Sequence, residues 1–375
     1  MTIYFLTTKL NILKGGGSNL ALDLRARNLI KAGHKVAIIT AFSSKNRLKS
    51  TPYKVHEEEM KSSHARQNLP EIVAILKKYE VDADVFIVDG HFFLWGATEY
   101  KKQGGKTPVI ADLFSYLESW NKFQDQSHWG NIKRSLGLLR QRLWEKKKAE
   151  EAGRLISAFL YTSPAVRHLF ERFKWPAHKF FLIPPAAEID PGRSRKPNSN
   201  RLLFVGRLVR YKGVDTLLRA VKKLKLPYRL DIVGDGQHGD AWKKLAKKLG
   251  LKEHVKFHPF SDWDKLKSFY RDAQLLIHPT RDPEPFGMTI VESLSCGTPV
   301  ISSKGSGSEW VAGAAGLTFK PNSAKDLKVQ IERFLADKDL QEKMQKEAVK
   351  RAKTFNHSEW TPKLIQVLQK VVKKG

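Results

Sequence analysis

Short apolar runs rich in β-branched residues, each followed by a segment of helical period, recur along the whole chain, and this alternation most limits the folds open to it. In the first half the runs are residues 3–7, 36–40, 85–88, 108–111 and 180–183. They are continuously apolar, as strands buried on both faces are, which predicts a parallel sheet covered by helices on either side. A second series follows at 202–205, 228–233, 255–257, 275–278 and 299–302. Between the two, residues 184–200 break every periodicity with prolines, Gly192 and polar side chains, as a linker does. At 375 residues the chain also exceeds what one core organises. The fold class is therefore α/β, with doubly wound domains over 1–190 and 191–354 and a C-terminal helix at about 355–375 able to pack back on the first. Ligands of such domains bind at the carboxyl ends of the strands, in a central cleft where two domains face each other.

Lys and Arg number 67 against 38 Asp and Glu, a net charge of +29 shared by both halves. Such a field attracts polyanions or anionic surfaces. Nucleic acid is not expected, because the cations are scattered over two α/β domains without a recognition motif. The single cysteine, Cys296, excludes an intrachain disulfide and fits a reducing, cytoplasmic setting. Residues 1–10 lack the basic and apolar regions of a signal peptide, and no window reaches the length of a membrane span. Membrane contact is expected to be peripheral if it occurs.

Four stretches carry candidate chemistry. Gly15, Gly16, Gly17 and Ser18 follow the first strand and precede a helical pattern, where backbone amides either approach an anion or form a flexible turn. FVGRLVRYKG (204–213) puts Arg207 and Lys212 just after a strand, beside Gly206; two cations there suit a diphosphate or form a solvated basic turn. DIVGDG (231–236) runs a strand into a turn at Gly234, open to close approach of a ligand. In EPFGMTIVE (284–292), a helix starting near Gly287 or Met288 presents free amides and the Thr289 hydroxyl, with Glu292 about one turn in and Glu284 in the preceding loop. A helix cap with acidic residues placed for the dipole accounts for Glu284 equally well.

Together with SCGTPVISSKGSGSEWV (295–311), GGGSN (15–19) and FLIPPAAEID (181–190), these stretches resemble glycosyltransferase family 4, whose members retain anomeric configuration and have the GT-B fold of two Rossmann-like domains. The similarity is strong over 201–319 and weak over about 43–153, where the family builds its acceptor site. The resemblance implies a retaining hexosyltransferase moving a sugar from a nucleotide-diphosphate sugar to an acceptor hydroxyl on a lipid-linked or cell-envelope glycan. It implies that Glu292 holds the ribose, that Arg207 and Lys212 neutralise the diphosphate with amides at Gly16 and Gly17, and that Glu284 with the Phe286 and Gly287 backbone meets the donor sugar. Neither metal nor cofactor is then required. Fixed cations aimed at a departing diphosphate lower the barrier to an oxocarbenium-like transition state. An epimerase or a sugar phosphorylase on the same fold is the rival reading.

Four features sit apart from that pattern. Asp82, Ala83 and Asp84 form the Asp-x-Asp by which other glycosyltransferases hold a divalent ion, but they precede a strand and read as a surface turn. Asp89, Gly90 and His91 close the following strand; His91 suits donor or acceptor, or a hydrogen-bonded loop. PVIADLFSY (108–116) lacks the histidine many family members carry there, leaving Asp112 as an acceptor-side contact or a helix N-cap. Finally, residues 131–150 repeat Ile132, Leu136, Leu139 and Leu143 among basic side chains, a pattern for an anionic membrane surface or for a helix facing its own core.

Overall fold

A computed structural model describes residues 1–12, 17–47, 50–62, 64–114, 132–187, 200–261 and 263–374, excepting the side chains at 91, 132–138 and 142. The chain divides into two compact units, Met1–Ala186 with His357–Gly375, and Ala187–Asn356. The expected boundary at 190/191 lies outside the described residues.

The first unit is built on a seven-stranded sheet: β1 (Thr2–Thr7), β2 (Lys35–Thr40), β3 (Lys54–Glu57), β4 (Val85–Asp89), β5 (Val109–Leu113), β6 (Ala158–Tyr161) and β7 (Phe180–Leu182). Their order is β3-β2-β1-β4-β5-β6-β7, with every pairing parallel. The second unit holds β8 (Arg201–Val205), β9 (Arg229–Val233), β10 (Val255–His258), β11 (Leu275–His278), β12 (Val300–Ser303) and β13 (Gly316–Phe319). These form a parallel sheet in the order β10-β9-β8-β11-β12-β13. In each unit the chain reverses direction across the sheet between its first and fourth strands, β1/β4 and β8/β11, which are the switch points of a doubly wound sheet.

The continuous apolar runs follow from burial on both faces. On β1, Ile3 and Phe5 pack with Leu22, Leu29 and Leu368, while Tyr4 and Leu6 pack with Ile72, Leu76 and Phe93 on the opposite face. On β8, Leu202 and Phe204 meet Leu217 and Phe334, and Leu203 and Val205 meet Tyr270, Ile290 and Phe355. Each such side chain contributes about 1.5–3 kcal/mol by leaving water. The helix His357–Val372 rejoins the first unit through Leu364, Val367, Leu368 and Val371, one face at helical spacing, packed on helix Gly17–Lys31 and β4.

Three strands have no counterpart in the sequence reading. β3 (KVHE) and β13 (GLTF) are half-exposed edge strands with no apolar run, and β6 (AFLY) is buried but only four residues long. Among the described residues, no helix is long and apolar enough to cross a membrane.

Candidate functional site

In the second unit, β8 delivers Gly206 and Arg207 at its carboxyl end, and a single 3₁₀ turn, Arg210–Lys212, carries the chain to helix Val214–Val221. β11 ends on His278 and leads through residues 279–287 to helix Met288–Ser295. The two loops are locked together. The Arg281 amide donates to Tyr211 O at 2.7 Å, and the Arg281 guanidinium pairs with Asp215. Gly213, at φ +68°, sits where a Cβ would lie 1.9 Å from Pro279 O, so only glycine lets the loops meet this closely.

That union brings Lys212 and Glu284 into contact. Lys212 Nζ donates to Glu284 Oε2 at 2.7 Å, with side-chain exposures of 12% and 20%. His278, 2% exposed, places Nε2 3.7 Å from the same oxygen, while Thr289 Oγ1 lies 3.4 Å from His278 Nδ1. Burial pushes the Glu284 carboxyl up, but the Lys212 ammonium and His278 more than offset it and hold it well below the usual carboxylate range. Burial also pushes the His278 imidazole down, so it stays neutral near pH 7. Arg207 is exposed beside this group, donating to the Tyr211 hydroxyl with its guanidinium 5.7 Å from that ring.

Glu292 stands one position beyond a single turn from Met288. Its Oε2 accepts the Tyr270 hydroxyl at 2.7 Å, and burial raises its carboxyl against that bond. Phe286 is a core residue, packed on Trp310 and Phe355, so only its backbone is offered to a ligand. Gly287, at φ +101°, begins the helix, and the Glu284 carbonyl accepts the Gly307 amide at 2.8 Å. Gly234 has a packing reason of its own: a Cβ there would lie 2.1 Å from Gly206 O.

Arg207, Lys212, Glu284 and Thr289 are thus tied together at one end of one sheet through His278 and Tyr211, and Glu292, on the helix that carries Thr289, is held by Tyr270. The sequence reading passed over His278 and Tyr270. A polar residue closing a buried strand directly before Pro279 was the available signal for the first; for Tyr270, buried among apolar neighbours, there was none.

The first unit assembles a different group. Thr7 Oγ1, at the end of β1, donates to Asp89 Oδ2 at 2.9 Å, and Asp89 pairs in register with Asp112 across β4 and β5. Asp112 is not an N-cap, and its Oδ1 is buried with no hydrogen-bond partner. It lies within β5, 2% exposed, in an ion pair with Arg25 of helix Gly17–Lys31. Burial, with Asp89 alongside, pushes its carboxyl up to about 6 against the pull of Arg25. Arg25 shares a helix face with Leu22 and Leu29, a charge on an apolar stripe that pointed to a buried partner.

Gly17 opens helix Gly17–Lys31, while Gly15 and Gly16 lie outside the described residues. His91 is in the first turn of helix Gly90–Lys102, its side chain likewise outside them. Asp84 accepts the Thr2 amide at 2.6 Å at the amino ends of the strands, the edge opposite the strand ends where a doubly wound sheet binds ligands. In helix Ile132–Leu155, Leu139 and Leu143 are 50% and 60% exposed, which removes them from the core reading of that stripe; Ile132 and Leu136 lie outside the described side chains.

A family model described as glycosyl transferases group 1 matches residues 187–351, and one described as glycosyltransferase family 4 matches residues 14–191. A D-inositol 3-phosphate glycosyltransferase of Nocardiopsis dassonvillei is 28% identical over 248 residues, 60% of this chain and 57% of that protein. The chain spans about half the length of the curated relatives it matches first. Sucrose-phosphate synthase of Thermosynechococcus elongatus superposes with TM-score 0.79 at 20% identity, covering 100% of both chains. Anabaena HepE in complex with UDP-glucose superposes with TM-score 0.73 at 20% identity, covering 100% of this chain and 99% of that one.

Proposed function

We propose, from the premise that this chain belongs to the family 4 glycosyltransferases and has their GT-B fold, that it moves a sugar from a nucleotide-diphosphate sugar to an acceptor hydroxyl with retention of configuration. The observation that carries the reading is the Lys212–Glu284–His278 group beside Arg207 at the β8/β11 switch point. Lys212 and Arg207 supply cations for a diphosphate at the strand ends, the Met288–Ser295 helix start supplies amides, and Glu292 takes the ribose hydroxyls. Glu284, kept ionised by its neighbours, accepts hydrogen bonds from the donor sugar. HepE, solved with UDP-glucose, supports a donor of this class.

In the transition state, positive charge gathers at the anomeric carbon and negative charge on the departing diphosphate. Cations already fixed by the fold stabilise that separation without reorganising. The diphosphate takes up the acceptor's proton, so no side-chain nucleophile is assigned, and Arg207 and Lys212 do the work a metal does elsewhere. The first unit takes the acceptor, a lipid-linked or cell-envelope glycan. The exposed Leu139 and Leu143, with exposed Arg140, Lys146 and Lys147, support peripheral contact with an anionic membrane.

A thermal-shift screen against UDP-, GDP- and ADP-sugars tests the donor reading, since a ligand bound only by the folded state raises Tm. No shift with any nucleotide sugar overturns it. With a donor in hand, turnover in EDTA tests metal independence and the anomeric configuration of the product tests retention. An epimerase would act without acceptor and a phosphorylase would require inorganic phosphate. Sedimentation with anionic vesicles, weakened in Leu143→Asp, tests the membrane contact.

A further inference from the structure

Glu284 is held from one side only. Its described contacts, Lys212 Nζ at 2.7 Å and His278 Nε2 at 3.7 Å, both fall on Oε2. Among the described residues, none is recorded on Oε1, the oxygen left to face a ligand. His278 itself cannot turn freely: it is 2% exposed and pairs in register with Ser302 across β11 and β12. Its Nε2 is buried with no hydrogen-bond partner, a destabilising omission unless the neighbouring carboxylate offsets it.

We propose that His278 is a positioning residue for donor-sugar recognition: its Nδ1 accepts the Thr289 hydroxyl, which leaves the Nε2–H facing Glu284 Oε2 and turns Oε1 toward a hydroxyl of the sugar. The inference rests on the donor-site reading above and adds the group that sets the carboxylate's rotation. Lys212 alone is a point charge on a flexible stem and fixes distance better than orientation. A planar imidazole held through Nδ1 by Thr289, with Nε2 facing the carboxylate, supplies the missing direction, in the way an outer residue orients a ligand-binding one. The charged groups facing the ring are Lys212, from the loop after β8, and Glu284, from the loop after β11; they act in opposite senses while burial keeps the ring neutral.

The first test needs no ligand. Nitrogen NMR of ¹⁵N-histidine-labelled protein at pH 7 is expected to show His278 as the neutral Nε2–H tautomer, with a shifted Nε2 resonance in Glu284→Gln. An Nδ1–H tautomer, or a charged ring at pH 7, overturns the proposal. The second compares affinities for UDP and UDP-glucose, GDP and GDP-mannose, and ADP and ADP-glucose in the parent, His278→Leu and His278→Gln. His278→Leu is expected to bind the bare nucleotide as the parent does but to lose about tenfold of the extra affinity the sugar brings, the worth of a hydrogen bond to a charged group. His278→Gln, with one donor and one acceptor, restores part of it. If the parent binds and the sugar's increment survives in His278→Leu, or if the bare nucleotide is lost equally, this inference alone fails. If the parent binds none of the six, the donor-site reading fails and takes the inference with it.

Discussion

Replacing Lys212 by Met removes a charge while keeping the aliphatic stem, and it strands Glu284 in a half-dry site. At 2.7 Å and an effective dielectric of 20 the pair's direct attraction is about 6 kcal/mol, much of it offset by the cost of desolvating both ions. Losing one partner of a buried pair costs about 3–5 kcal/mol. For a unit of this size that lowers Tm by about 6–20 °C. Glu284→Gln leaves an ammonium facing an amide oxygen and is expected to cost less, about 1–3 kcal/mol. The double variant leaves no stranded charge and should be more stable than Lys212→Met, giving a coupling of about 2 kcal/mol or more in urea melts at pH 7. The pH dependence has a fixed sign. Because the folded Glu284 carboxyl is depressed below its ordinary 4.5, the pair's stabilisation is present above that pH and is lost as pH falls through the folded value. The gap between parent and Lys212→Met should therefore narrow in acid. Strictly additive losses, or a gap that does not narrow as pH falls below 4.5, would refute the account of the pair as a desolvated ion pair.

The buried acids of the first unit titrate in the opposite sense. Asp112 binds its proton more tightly folded, at about 6, than unfolded, at 3.8, so its contribution falls as pH rises between those values, by about 3 kcal/mol. Asp112→Asn should flatten that part of the stability profile, and an unchanged slope in urea melts from pH 4 to 7 counts against it. Gly213→Ala meets both a left-handed φ and Pro279 O at 1.9 Å and should cost more than 3 kcal/mol or block folding, while Gly33→Ala, at φ +85° with nothing within 4 Å, should cost about 1 kcal/mol. Equal melting temperatures for the two would remove the packing argument. Tyr270→Phe keeps the ring's volume but takes the 2.7 Å donor from Glu292; a loss of about 1–2 kcal/mol is expected, together with weaker nucleotide binding, and unchanged values for both would deny Glu292 its ribose role.

The order of strands and helices was legible in the chain because each sheet is buried on both faces. A strand such as residues 202–205 or 275–277 then has to be apolar throughout, and the contrast with amphipathic helices survives in one dimension. β3 and β13 escaped notice for the same reason inverted: edge strands half in water need no such run. The motifs around Lys212, Glu284 and Glu292 were likewise readable, since a loop that follows a buried strand carries its polar residues at fixed offsets. What those residues do to one another was not. Lys212 and Glu284 are 72 positions apart and meet because β8 and β11 are neighbours at the switch point. His278 looked like the last residue of a strand until packing put its two nitrogens between Thr289 and Glu284. Asp112 read as a cap or a ligand contact; it lies inside a strand, so it caps no helix, and Arg25, 87 positions away, pairs with one of its oxygens. Periodicity is a property of neighbours along the chain and is written there. Charge pairing and burial depend on which strand ends come to lie side by side, and that is decided only once the sheet has closed.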